Sequence, residues 1–172
     1  MARIGVVDIA YFRGRQGEII VKELAVCTFT QHTLKFASYT SCVFAPPYAL
    51  SPKHQQLLQF DNISEANRHG IAWECGGVEL SELGPILNRA LAHVALVYCE
   101  GAETLSLVEN LLEAKDCMIR DLNRLFVPDY SLLHYNSHAP AVCSVDHPVT
   151  GECALRKSYA YASWICGLYK SA

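Results

Sequence analysis

The chain has 172 residues, of which 51% are hydrophobic and 18% charged, a balance that excludes a disordered or linker-like protein. Its length corresponds to one domain on the usual scale of about 100–200 residues, enough to bury roughly 70% of the unfolded surface without disulfide staples. The formal net charge of −3 excludes a global basic field, so contact with nucleic acid would need a local patch.

Ile4 to Phe12 is a β-rich apolar run, Arg13 to Gly17 is turn-like, and Glu18 to Phe29 is a second strand. Thr33 to Phe44 alternates as a third strand and is ended by Pro46-Pro47, which cannot donate to a ladder. Three successive strands read as an antiparallel meander. Ser51-Pro52 is a helix start, with Ser as N-cap and Pro at the first helical position. A short helix is expected over Ser64 to Arg68, before Gly70. Leu83, Ile86, Leu87, Ala90 and Leu91 have the spacing of an amphipathic helix over Ser81 to Leu91. Val94 to Cys99 is continuously apolar, as a buried parallel strand requires. Glu103 to Leu112 returns to helical spacing, Cys117 to Ile119 is a brief last strand, Tyr130 to Gly151 is loop-rich, and Ala154 to Tyr169 closes as a helix. The order predicts a single α/β domain over residues 1–172, with a mixed sheet flanked by helices. The longest apolar stretches, such as Ala90 to Tyr98, are too short to span a bilayer, and the N-terminus lacks a signal-peptide core. An intracellular protein, cytoplasmic or nuclear and without a membrane partner, is the expectation.

Eight cysteines are present, most of them inside apolar runs such as Leu24-Ala25-Val26-Cys27 and Val97-Tyr98-Cys99, where a thiol behaves as a small buried hydrophobe. Cys143 and Cys153 differ, because they flank His147 in a polar segment as Cys-x3-His-x5-Cys. Two thiolates and an imidazole are ligands that zinc favours, and a structural site needs a fourth. Asp146, Glu152, His134 and His138 are candidates for that place; the competing reading is a surface His between two unpaired thiols.

In element order and landmarks the chain resembles the DnaQ-like proofreading exonucleases, which have a ribonuclease-H-like fold. Val6-Val7-Asp8-Ile9 looks like that family's first strand with its metal-binding Asp, and Glu18 to Val26 looks like its second. Arg68-His69-Gly70-Ile71 resembles the family's turn after the early helices, and Ser81 to Val97 resembles the helix and strand before its second acidic motif. The resemblance implies four carboxylates around two divalent metals, and here the pattern departs from it. The Asp-x-Glu motif reads Asp8-Ile9-Ala10, the second motif's Asp falls near Thr104 or Glu103, and the last motif falls near Glu152 and Lys157. Two-metal chemistry needs several converging negative ligands. Asp8 is therefore read as vestigial, an ion pair with Lys157 is expected in place of a metal, and no catalytic residue is assigned.

The Cys/His cluster carries a second resemblance, to the Maelstrom domain, a divergent branch of the same fold with a Glu-Cys-His-Cys zinc site. Cys153-Ala154-Leu155 opens the last helix in that domain's manner, and Glu23 in Val21-Lys22-Glu23-Leu24 occupies the place of its Glu. The resemblance thus implies one structural zinc per chain, held by Glu23, Cys143, His147 and Cys153. Glu23 lies among apolar neighbours, where an unpaired charge is costly; coordination would remove that cost, as would an edge position or a Lys or Arg partner.

Arg13 and Arg15 in the first hairpin turn, with Arg156 and Lys157 on the last helix, form the candidate phosphate-contacting set, against ordinary surface charge. His69 reads as a turn-stabilising residue, and Trp73, Trp164 and Tyr169 as packing residues. The expectation is a catalytically degenerate exonuclease-like domain, held by zinc, that binds RNA or a protein partner. The alternatives are metal-independent cleavage of single-stranded RNA, as the Maelstrom resemblance implies, and a purely structural or homo-oligomerising module.

Overall fold

The computed structural model describes residues 2–14, 16–31, 33–61, 69–113, 116–133 and 153–171. The apolar, β-branched N-terminal third forms β1 (Arg3–Arg13), β2 (Ile19–Thr30) and β3 (Thr33–Val43), an antiparallel meander as the alternation predicts. Ser51 then starts α1 (Pro52–Asp61), its hydroxyl accepting the His54 N–H at 3.4 Å. A 3-10 turn over Leu80–Glu82 leads into α2 (Leu83–Ala90), and β4 (Val94–Cys99) lies parallel to β1. α3 (Ala102–Leu111) crosses over to β5 (Met118–Asp121), parallel to β4, and a 3-10 turn over Leu122–Leu125 precedes α4 (Tyr130–Leu133). The chain closes with α5 (Ala154–Ser171). The five-stranded mixed sheet has the order β3-β2-β1-β4-β5.

The pleat sends alternate residues to opposite sides. Val7, Ile9, Leu24 and Val26 pack with Leu83, Ile86 and Leu87 of α2 and Val108 of α3. Ile4, Val6, Cys27 and Phe29 meet Tyr161, Ala162 and Ile165 of α5 on the other face. Helices therefore cover both sides, which is why β4 reads as one uninterrupted apolar run.

Two boundaries differ from the periodicity. The helix expected from Ser81 becomes α-helical only at Leu83. Pro85 has no N–H to donate, so it fits only within a first turn, and a start at Ser81 would place it deeper. The last strand runs on to Asp121 because its partners, Leu96 to Cys99, extend that far. The expected helix over 64–68 lies outside the described residues, as does most of the expected loop beyond α4. Among the described residues no helix is long and apolar enough to cross a membrane.

Candidate functional site

The site begins with an irregularity between β1 and β2. Ala10 pairs with Glu23, whereas Tyr11 pairs with Val21, so Lys22 is an extra residue and the ladder bulges. The bulge lets two adjacent charged side chains, both fully buried, find different partners. The Lys22 ammonium donates to the carbonyls of Phe44, Trp73 and Cys75 at 2.7, 2.8 and 2.6 Å. Burial pulls Lys22 down to about 8, and three acceptors for three N–H groups favour the ammonium form. Gly76 follows in the same loop at φ +105°, where a Cβ would run into the Phe44 carbonyl.

Glu23 turns toward the start of α5. Its Oε2 accepts the Ala154 N–H at 3.0 Å and its Oε1 faces the Cys153 thiol, the donor, at 3.8 Å. Across 130 residues of sequence, the fold thus brings together two members of the expected zinc set. The 3.8 Å separation is that of a thiol–carboxylate hydrogen bond, and these are two of the four ligands that a structural zinc needs. Cys143 and His147 lie outside the described residues, as do Asp146, Glu152, His134 and His138. Among the described residues no three His, Cys, Asp or Glu side chains group as metal ligands.

One turn along α5, a cleft of about 210 Å³ opens at the carboxyl ends of β1 and β4. Asp8, Ala10, Glu100, Thr104 and Lys157 line it. The Lys157 ammonium lies 2.6 Å from Glu100 Oε2 and 3.8 Å from Asp8 Oδ2, and the Tyr161 hydroxyl donates to Glu100 Oε1 at 2.6 Å. Lys157 and Asp8 are buried, whereas the Glu100 side chain is a quarter exposed. Burial pushes Asp8 up to about 7; the Lys157 ammonium opposes the shift, and the Glu100 and Glu23 carboxylates add to it. A buried acid with this value exchanges a proton near neutrality.

The expected Asp8–Lys157 pair is present, but its dominant acid is Glu100, which the sequence reading did not assign. Gly101, at φ +83°, turns the chain sharply after β4 and leaves the Glu100 carboxylate facing α5. Thr104 and Glu103 both line the cleft, and the Glu103 carboxylate lies 2.7 Å from the Arg13 guanidinium. The available signal was position: an acid directly following a parallel strand stands where such sheets place their ligands.

Three of the four candidate phosphate contacts are among the described residues. Arg13 is tied to Glu103, Arg156 is exposed on α5, Lys157 is buried on its two carboxylates, and Arg15 lies outside the described residues. His69 is buried and its Nδ1 accepts the Ile71 N–H at 3.0 Å, holding the turn as expected. Trp73 is core, edge-on to Phe12. No protein-family model matches the chain, and no curated protein matches it.

Proposed function

We propose that this chain is a ribonuclease-H-like domain of the DnaQ-like exonuclease kind that has lost two-metal catalysis and serves as a binding module for RNA or protein. Lys157 carries the reading: its buried ammonium sits against Glu100 and Asp8, and Ala10 presents a methyl group where the resembling family has a second carboxylate. A tethered monovalent cation sits among the carboxylates that line the cleft and opposes the binding of two divalent ions there. The fold is held, in this reading, by one zinc on Glu23, Cys143, His147 and Cys153. Bound there, zinc has a closed four-ligand shell and contributes folding energy, not an activated water.

Purified protein incubated with end-labelled single-stranded RNA or DNA, in Mg²⁺ or Mn²⁺, should leave the substrate at full length. Shortening that needs the divalent ion and disappears in Asp8→Asn would overturn the reading. Fluorescence polarisation with the same RNA tests the partner class: saturable binding selects RNA, and its absence removes that RNA as a partner. Elemental analysis should find one zinc per chain, lost together with stability in Cys143→Ser and Glu23→Ala.

A second reading, cleavage of single-stranded RNA without a metal, is favoured by one observation. Asp8, raised to about 7 beside an ammonium in an open cleft, has the proton affinity that general acid–base work at neutral pH requires. It predicts cleavage that survives chelation, peaks near pH 7 and vanishes in Asp8→Asn.

A further inference from the structure

The segment from β5 to α4 has two faces. Leu125, Val127, Tyr130 and Leu133 pack on the core beneath α5, with the Tyr130 ring 6.4 Å from that of Tyr161. Phe126 and Leu132, set between them, turn outward and are 92% and 71% exposed, and Met118 on β5 is 54% exposed. Among the described residues these are the three most exposed large apolar side chains, and they fall within one short stretch. They also share a side of the sheet: Met118 and Arg120 pair with Leu96 and Tyr98, which pack toward α5. Phe126 is costly on two counts, because its ring meets water and its backbone is left-handed at φ +54°. That state is unfavourable for a bulky side chain and ordinary for Asn or Gly.

Charge points to the occupant. The chain carries a net −3, which sets most faces of two copies against each other. Residues 118–133 are neutral, with Arg120 and Arg124 against Asp121 and Asp129. Both Arg residues are exposed, while Asp121 and Asp129 accept the N–H groups of Asn123 and Ser131 at 2.9 Å and so hold their own turns. A face with both signs in equal number around an apolar centre is complementary to itself, as a two-fold interface requires. We propose that this face is the interface of a homodimer, with Phe126 of each copy as its apolar anchor and the Arg and Asp side chains around it pairing across the two-fold. A few such central, buried side chains supply most of the binding energy of an interface. β5 ends the sheet, so the contact forms at its edge. The proposal is independent of the exonuclease and zinc readings.

Sedimentation velocity of the full-length chain over a concentration series tests it. Wild type should pass from monomer to dimer across about 1–100 µM. Phe126→Asn removes the ring and suits the left-handed turn, so it should melt at an equal or higher temperature. It should also weaken the dimer at least about tenfold. Arg120→Glu combined with Arg124→Glu makes the face uniformly acidic and should leave the chain monomeric at every concentration. Wild type that stays monomeric throughout overturns the proposal, and loss of single-stranded RNA binding in Phe126→Asn would then give the face to nucleic acid. A dimer that Phe126→Asn leaves intact also overturns it, because another face then joins the copies. So does a lower melting temperature for Phe126→Asn, since the ring would then pack within its own chain.

Discussion

Asp8 is displaced far from its ordinary state by burial, and that displacement fixes a pH dependence. Its folded value of about 7 lies above the ordinary 3.8, so between these values the folded chain holds a proton that the unfolded chain releases. The stability this contributes is complete below pH 4 and is lost as pH rises through 7. At about 1.4 kcal/mol per unit, wild type should lose about 2–3 kcal/mol between pH 5 and pH 8 from this group. Asp8→Asn should lack that slope, as urea denaturation at the two pH values would reveal. Equal slopes in both proteins would mean that Asp8 titrates normally. Among the cleft residues, Asp8 and its pairing with Lys157 were implied by the exonuclease resemblance, whose motifs fall on both positions. Glu100 carried a positional signal alone, as an acid directly after a parallel strand. Its role depends on the left-handed turn at Gly101, a backbone state that helical spacing around Glu103 does not disclose.

The bulge in β2 decides the behaviour of a whole loop. Phe44, Trp73 and Cys75 direct carbonyls inward with no strand to pair them, and Lys22 satisfies all three. Lys22→Met keeps the stem and removes the donors, so it should cost about 3 kcal/mol or more, since each buried acceptor left unsatisfied costs about 1–3 kcal/mol. Hydrogen exchange should localise the loss to residues 44–45 and 73–78, whereas uniform loss across the sheet would assign Lys22 a different role. Gly76→Ala tests the same loop through its backbone. At φ +105°, with the Phe44 carbonyl in the path of a Cβ, it should cost about 2–4 kcal/mol, on the scale of strained backbone plus overpacking. A melting temperature within about 2 °C of wild type would contradict the packing described. Neither effect was legible in the sequence. A lysine in an apolar strand looks like an outward-facing residue, and only the β1–β2 register makes it an extra one. Strands, helices and their order were legible, because period-2 and period-3.6 patterns, with proline as punctuation, are local properties.

Over the whole molecule, α5 is the element that joins distant parts. It packs on β1, β2 and β3, meets Glu23 at its first residue and reaches Glu100 through Lys157 and Tyr161. The helix was expected over Ala154 to Tyr169, and Glu23 as its neighbour was implied by the Maelstrom resemblance. The route by which it links the two sites required coordinates. If zinc ties its start to the sheet, chelation should lower the melting temperature of wild type by several degrees and leave Cys143→Ser unchanged. The zinc-dependent increment should fade as pH drops toward 5, because thiolate and imidazole ligands then bind protons instead. A chelation effect of equal size in both proteins would place the metal elsewhere.

The same helix has a consequence for biosynthesis. The sheet face lined by Ile4, Val6, Cys27 and Phe29 is complete once β2 has left the ribosome, yet its cover, Tyr161, Ala162 and Ile165, is made more than a hundred residues later. At about 5–20 residues per second, that apolar face stays uncovered for roughly ten seconds on every nascent chain. A ribosome stalled just before Ala154 would therefore display a paired, adhesive sheet, and such stalled chains should bind chaperones or one another until α5 is added.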